Sequence, residues 1–167
     1  MFEQGETVIY GTNGVCRVDG TTQMDITGEK KDYYVLKPVF NGRSTLFVPT
    51  DNEKLVGRMR PLITEAGIRA LTRKFPSIEP LWIEDEDERK ARCAAALADN
   101  DRETLLALIK AIRVHRDRQF SIGKKLHVAD ERFLKDAEKL LREEASYVLD
   151  KDCDRVLTFL DEKAQAV

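Results

Sequence analysis

The sequence predicts an α+β protein: a small N-terminal antiparallel β barrel followed by a compact all-α domain. Three observations carry this. Residues 1–50 are short runs of β-branched and aromatic side chains separated by turn formers. Beyond them, apolar residues recur at helical spacing. The composition, 42% hydrophobic and 35% charged over 167 residues, is that of a folded, helix-rich chain with enough apolar mass for a core.

The predicted strands are TVIY (7–10), VCRVDG (15–20), YYVLKPV (33–39) and STLFVP (44–49). GTNG (11–14) and TGEKK (27–31) mark reversals between them, and Asn41-Gly42 has the signature of a tight hairpin turn with positive φ at both positions. Closely spaced antiparallel strands of this length curl into a barrel that limits exposed edges. The barrel is expected to span residues 1–57 and the helical domain residues 58–167.

In the second half, Thr64 is placed to cap a helix bearing Ile68, Leu71 and Phe75 on one side. Pro76 and Pro80 interrupt, and a helix is expected from about Leu81 to Ala98, its core stripe Ala94, Leu97 and Ala98. DNDRE (99–103) breaks the chain before a helix whose stripe is Leu105, Leu108, Ile109 and Ile112. FSIGKK (120–125) is the next joint. A long helix then carries Phe133, Leu134, Ala137, Leu140, Leu141 and Val148, and a last short one Val156, Leu157 and Leu160.

A net charge of −2 gives no general attraction to nucleic acid or to an anionic membrane, so any polyanion contact has to be local. Residues 105–129 supply such a patch: Lys110, Arg113, Arg116, Arg118, Lys124 and Lys125 face only Asp117 in sequence, with His115 and His127 nearby. Solvated helix faces and a phosphate-binding surface explain that stretch equally well. The opposite charge is concentrated in Glu84–Glu88, which follows the single tryptophan, Trp82, after one isoleucine. Cys16, Cys93 and Cys153 are odd in number and lack CxxC spacing, which disfavours a disulfide framework or a thiolate zinc site. Cys93 beside Arg92 is placed to have a lowered pKa, but no histidine or asparagine pattern makes it a nucleophile. His115 and His127 without a tight carboxylate or thiolate motif do not suggest a metal. The glycine segments lack phosphate-loop spacing, so no enzyme and no cofactor are expected. An N-terminus without a charged start and apolar stretch, and no run of about twenty apolar residues, lead to the expectation of a cytoplasmic protein without membrane contact.

The opening GETVIYGTNGVCRV with Gly5, Val8, Tyr10, Gly14 and Val15, the strand YVLK (34–37), Val48-Pro49 and then Trp82 occur in an order that resembles the CarD family of bacterial transcription regulators. The resemblance implies a Tudor/SH3-like barrel that docks on the β subunit of RNA polymerase. It also implies a helical domain that touches promoter DNA, where the tryptophan acts as a minor-groove wedge at the upstream edge of the opening bubble. It implies no catalysis and no recognition of a particular DNA sequence, and a monomer is expected. Where family members often carry arginines on the polymerase-facing edge, this chain has Met24 and Phe47, and acids rather than bases follow its tryptophan.

The candidate polymerase contacts are therefore Met24, Thr45 and Phe47. Alternation along the last strand supports Phe47, because inward Leu46 and Val48 leave it facing out. The candidate DNA contacts are Trp82, Arg89, Lys90, Arg92, Lys110, Arg113, Lys124 and Lys125. From the residues alone, Trp82 suits burial as a core filler; the resemblance makes it a wedge. The alternative is an adapter whose helical half meets another protein and never touches DNA.

Overall fold

A computed structural model of the chain describes residues 1–161. They fall into two compact units, Met1–Leu62 and the unit beginning at Ile63. The expected domain boundary lay a few residues earlier, and residues 162–167 of the expected helical domain lie outside the described residues.

The first unit is a five-stranded antiparallel sheet: β1 (Thr7–Tyr10), β2 (Val15–Asp25), β3 (Lys30–Pro38), β4 (Leu46–Pro49) and β5 (Met59–Pro61), in the order β4-β3-β2-β1-β5. A short helix, α1 (Glu53–Val56), capped by the Asn52 side chain, joins the two end strands. The boundary moves to Leu62 because Met59–Pro61 hydrogen-bond to β1, a pairing too brief to read from the sequence. Val8, Cys16, Val18, Tyr34, Leu36, Val48 and Met59 form the core.

Two local features decide which side chains face outward. Val18 is opposite Leu36, but the next pair is Gly20 with Val35, so Asp19 is a β-bulge; Gly20 sits at φ 118°, where glycine is favoured. The bulge flips the alternation, and Gly20, Thr22 and Met24 leave the core face to which Val18 belongs. The second feature corrects an expectation. Asn41-Gly42 is not a tight hairpin turn, and neither residue has positive φ. Val39 still donates to the Val15 carbonyl on β2, and Leu46 pairs with Leu36, so the connection must be a longer loop than two residues.

The second unit contains α2 (Glu65–Lys74), α3 (Glu86–Asp99), α4 (Arg102–Ser121) and α5 (Val128–Leu149), with two 3-10 turns, Cys153–Arg155 and Thr158–Leu160, after them. Thr64 caps α2 as expected, its hydroxyl accepting from Gly67 N–H. α4 is the central element: Leu105, Leu106, Leu108, Ile109 and Ile112 are all buried, each removal of such a side chain from water contributing about 1.5–3 kcal/mol. Phe133, Leu134, Ala137 and Leu141 of α5 pack against them, as do Cys93 and Ala96 of α3 and Phe75. The expected terminal helix is instead the pair of 3-10 turns, though Val156 and Leu160 are buried as predicted. Among the described residues, no helix is long and apolar enough to cross a membrane.

Helix α3 begins at Glu86, not near Leu81. Asp85 is the N-cap, its carboxylate accepting from Glu88 N–H at 2.8 Å, and Glu86, Asp87 and Glu88 fill the first turn. The acidic run is therefore explained by the helix start, where carboxylates accept from unpaired N–H groups and oppose the dipole. The shift also changes the buried face. Arg89, Cys93 and Ala96 are buried, while Ala94 is exposed.

Candidate functional sites

In the first unit, strand register brings together two of the three predicted contacts, Met24 and Phe47, and adds others. Residues directly opposite in an antiparallel pair share a face. Met24 is opposite Lys31, Thr22 opposite Tyr33, Gly20 opposite Val35, Val35 opposite Phe47, and Tyr33 opposite Pro49. Met24 and Phe47 thus lie on one face, the side away from the core, with Tyr33 and Val35 between them. Thr45 is exposed at the approach to β4. Phe47 is 46% exposed. Tyr33, Val35 and Met24 are half-buried. The sequence reading missed Tyr33 and Val35, although the signal was present: Tyr33-Tyr34-Val35-Leu36 is apolar on both faces, which one core cannot satisfy.

The predicted DNA-contacting residues separate into two groups. Arg89 is only 4% exposed and forks onto Asp130 of α5, Nε to Oδ1 at 2.9 Å and Nη2 to Oδ2 at 3.0 Å. Its Nη1 donates to the Ile83 carbonyl at 3.0 Å. Lys110 donates to the carbonyls of Phe75, Pro76 and Ile78 and lies over the Phe75 ring. Arg113 is buried and donates to Glu138 and to the Leu160 carbonyl. These three assignments are corrected: the cations face inward. The Asp130 carboxylate turns Arg89 inward, while carbonyls of the irregular connection between α2 and α3 and of the C-terminal turns, Ile78 and Leu160 among them, accept from Lys110 and Arg113. The second group, Lys90, Arg92, Lys124 and Lys125, is exposed, Lys90 being paired with Glu86 at 2.7 Å.

Trp82 belongs to that connection and precedes α3. Its ring stacks on His115 of α4, centroids 4.1 Å apart and planes 22° from parallel, and the Arg89 guanidinium carbon lies 4.6 Å from the ring centroid. Leu81 N–H donates to the Ala107 carbonyl, fixing the adjacent backbone. Trp82 is half-buried, packed against the main core at its edge. Neither a full core filler nor a free ring, it is a held one. Burial, and next the Arg89 charge, push the His115 pKa down.

The thiols are quiet. Burial raises Cys93 to about 11, against the lowering expected from Arg92, and Cys16 to about 12. At neutral pH both are protonated, unreactive core groups.

Residues 2–63 match the family model described as CarD-like/TRCF RID domain. Among solved structures, CdnLNt from Myxococcus xanthus is 28% identical, over 39% of this chain and 89% of that one, with a TM-score of 0.32. The match to the CarD-like/TRCF RID domain thus covers the first unit, the one with the outward apolar face, and ends where the helical unit begins.

Proposed function

We propose that the protein regulates transcription without catalysing a reaction. In this reading, residues 2–63 dock it on the polymerase β subunit, and the helical unit brings Trp82 to the promoter minor groove at the upstream edge of the bubble, favouring the melted complex. The observation that carries the docking half is the apolar outer face of β2, β3 and β4 within a domain of the polymerase-interacting family. β4 is an end strand, so an extended partner segment can add to its free edge while Phe47 fills a side-chain pocket beside it. The protein acts as a monomer in the bacterial cytoplasm, with polymerase and promoter DNA as its partners.

The held ring supports the wedge. A Trp82 fixed by His115 and Arg89 needs little ordering on insertion, which lowers the entropic cost of binding. Docking on polymerase raises its local concentration near the DNA to roughly millimolar, so weak intrinsic affinity suffices. The test uses the full chain with polymerase holoenzyme and a promoter: Trp82→Ala should reduce permanganate reactivity of upstream bubble thymines while polymerase pull-down is unchanged. Equal reactivity in the two proteins rejects the wedge.

A second reading, an adapter whose helical unit contacts protein, is supported by the inward orientation of Arg89, Lys110 and Arg113. Salt discriminates. A DNA contact loses affinity with a logarithmic slope of about 0.9 per phosphate neutralised, whereas an apolar protein contact is nearly flat.

A further inference from the structure

The turn between α4 and α5 is built in an unusual way. Lys124 N–H donates to the Gln119 carbonyl at 2.8 Å and Gly123 N–H to the Phe120 carbonyl at 3.1 Å, with Gly123 at φ 73°. These are the paired bonds of a Schellman helix end, so the last turn of α4 is closed and rigid. Such ends commonly bury an apolar contact between the residues here occupied by Gln119 and Lys124, both polar. The apolar side chains of the turn lie elsewhere. Phe120 is 57% and Ile122 63% exposed.

Around them in sequence, exposed cations outnumber the exposed carboxylate Asp117. Arg118, Lys124 and Lys125 are exposed, and none is ion-paired among the described residues. The carboxylates adjacent in sequence are occupied: Asp117 contacts Arg116 at 3.5 Å, and Asp130 holds Arg89. An exposed aromatic and aliphatic pair on a closed turn, flanked in sequence by three exposed cations with no ion pair among the described residues, is complementary to a polyanion with an apolar interior. His115, on which Trp82 stacks, lies five residues before Phe120 on α4, about 7.5 Å along the helix axis.

We infer that the α4–α5 turn is a second DNA-contacting element: Phe120 and Ile122 enter the minor groove of a duplex at an unstacked base step, and Arg118, Lys124 and Lys125 grip the flanking phosphates. Apolar wedges that lever open base steps, flanked by basic residues, are the common device of minor-groove binders. This deepens the promoter-contact reading and rests on it for its biological setting, but the contact is a property of the helical unit and is measurable without polymerase.

The test is fluorescence anisotropy of the full chain with a labelled duplex containing a short mismatched bubble, at low ionic strength. Phe120→Ser with Ile122→Ser should weaken binding roughly tenfold and leave the salt slope unchanged. Lys124→Gln with Lys125→Gln should reduce that slope by about 1.8. All four side chains are exposed, and circular dichroism checks that the fold is intact. No binding by the wild-type chain, or wild-type affinity in both variants, overturns the inference. So does capture by phosphatidylglycerol vesicles that the variants lose while their DNA binding is unchanged, since that outcome marks a membrane-inserting turn. Pull-down of polymerase by the same variants should be unaffected, which separates failure of this inference from failure of polymerase docking.

Discussion

The two units of this chain treat their misfits in opposite ways. In the sheet unit, apolar side chains exceed what the core can take, and the surplus (Tyr33, Val35, Phe47) is turned outward. In the helical unit, charged side chains that look destined for solvent are turned inward: Arg89 onto Asp130, Arg113 onto Glu138, and Arg102 onto the buried Glu144. Glu144 also accepts from Ile63 N–H at 2.7 Å, tying the entrance of that unit to α5. The difference teaches where to look for partners. An outward apolar face has its counterpart in another molecule, whereas an inward charge has found its counterpart within the fold.

The largest effect is expected from breaking the inward pairing. Arg89→Ala leaves Asp130 buried without its partner and should lower the stability of the helical unit by about 3–5 kcal/mol, read as a reduced urea midpoint by circular dichroism. A loss under about 1 kcal/mol would show that Arg89 is a surface cation after all. Next in size is the outward face. Phe47→Asp should cost roughly 2 kcal/mol of polymerase binding, about thirtyfold in Kd, with the melting temperature little changed. Equal affinity for wild type and variant, measured by surface plasmon resonance on immobilised RNA polymerase, would move the docking surface elsewhere.

Removing the cap of α3 comes third. Asp85→Ala should cost about 1 kcal/mol of stability, and Asp85→Ser should restore most of it. If neither variant differs from wild type, the acidic run has a role other than starting the helix. The smallest effect concerns pH. The folded pKa of His115 lies below its unfolded value, because burial and the Arg89 charge oppose protonation. Above the unfolded value near 6.5 the folded state bears no penalty from this group. As pH falls through that value toward the lower folded one, the unfolded chain binds more protons and stability declines. Replacing His115 by Phe, which keeps a stacked ring, should remove this part of the acid sensitivity. An unaltered stability profile in that variant would assign the titration to another group.

Much of the fold was legible in the sequence because its elements obey single periods. The α4 stripe Leu105, Leu108, Ile109 and Ile112 and the α5 residues Phe133, Leu134 and Ala137 are buried as spacing predicts. What misled were places where hydrogen bonding overrode pattern. Helical spacing counted from Trp82 failed because Asp85, not Pro80, starts the helix. The Asn41-Gly42 turn failed because β2 holds the chain until Val39, beyond the reach of a local dipeptide preference. Of the sites, Phe47 was readable from alternation alone, while Met24 reached the same face only through a bulge at Asp19. Lys110 and Arg113 have the spacing of solvated residues, and nothing local records that the distant carbonyls of Ile78 and Leu160 accept from them. Cation periodicity identifies a helix face; it does not say whether that face meets water or an orphaned backbone.

The stack of Trp82 on His115 has a practical consequence. As the only indole in the chain, it makes the protein its own optical reporter: a neighbouring imidazolium withdraws electrons from an excited indole, so emission should brighten on alkalisation and shift when the ring leaves its partner. A stopped-flow record of that intensity would time any event that separates the indole from His115, with no dye attached.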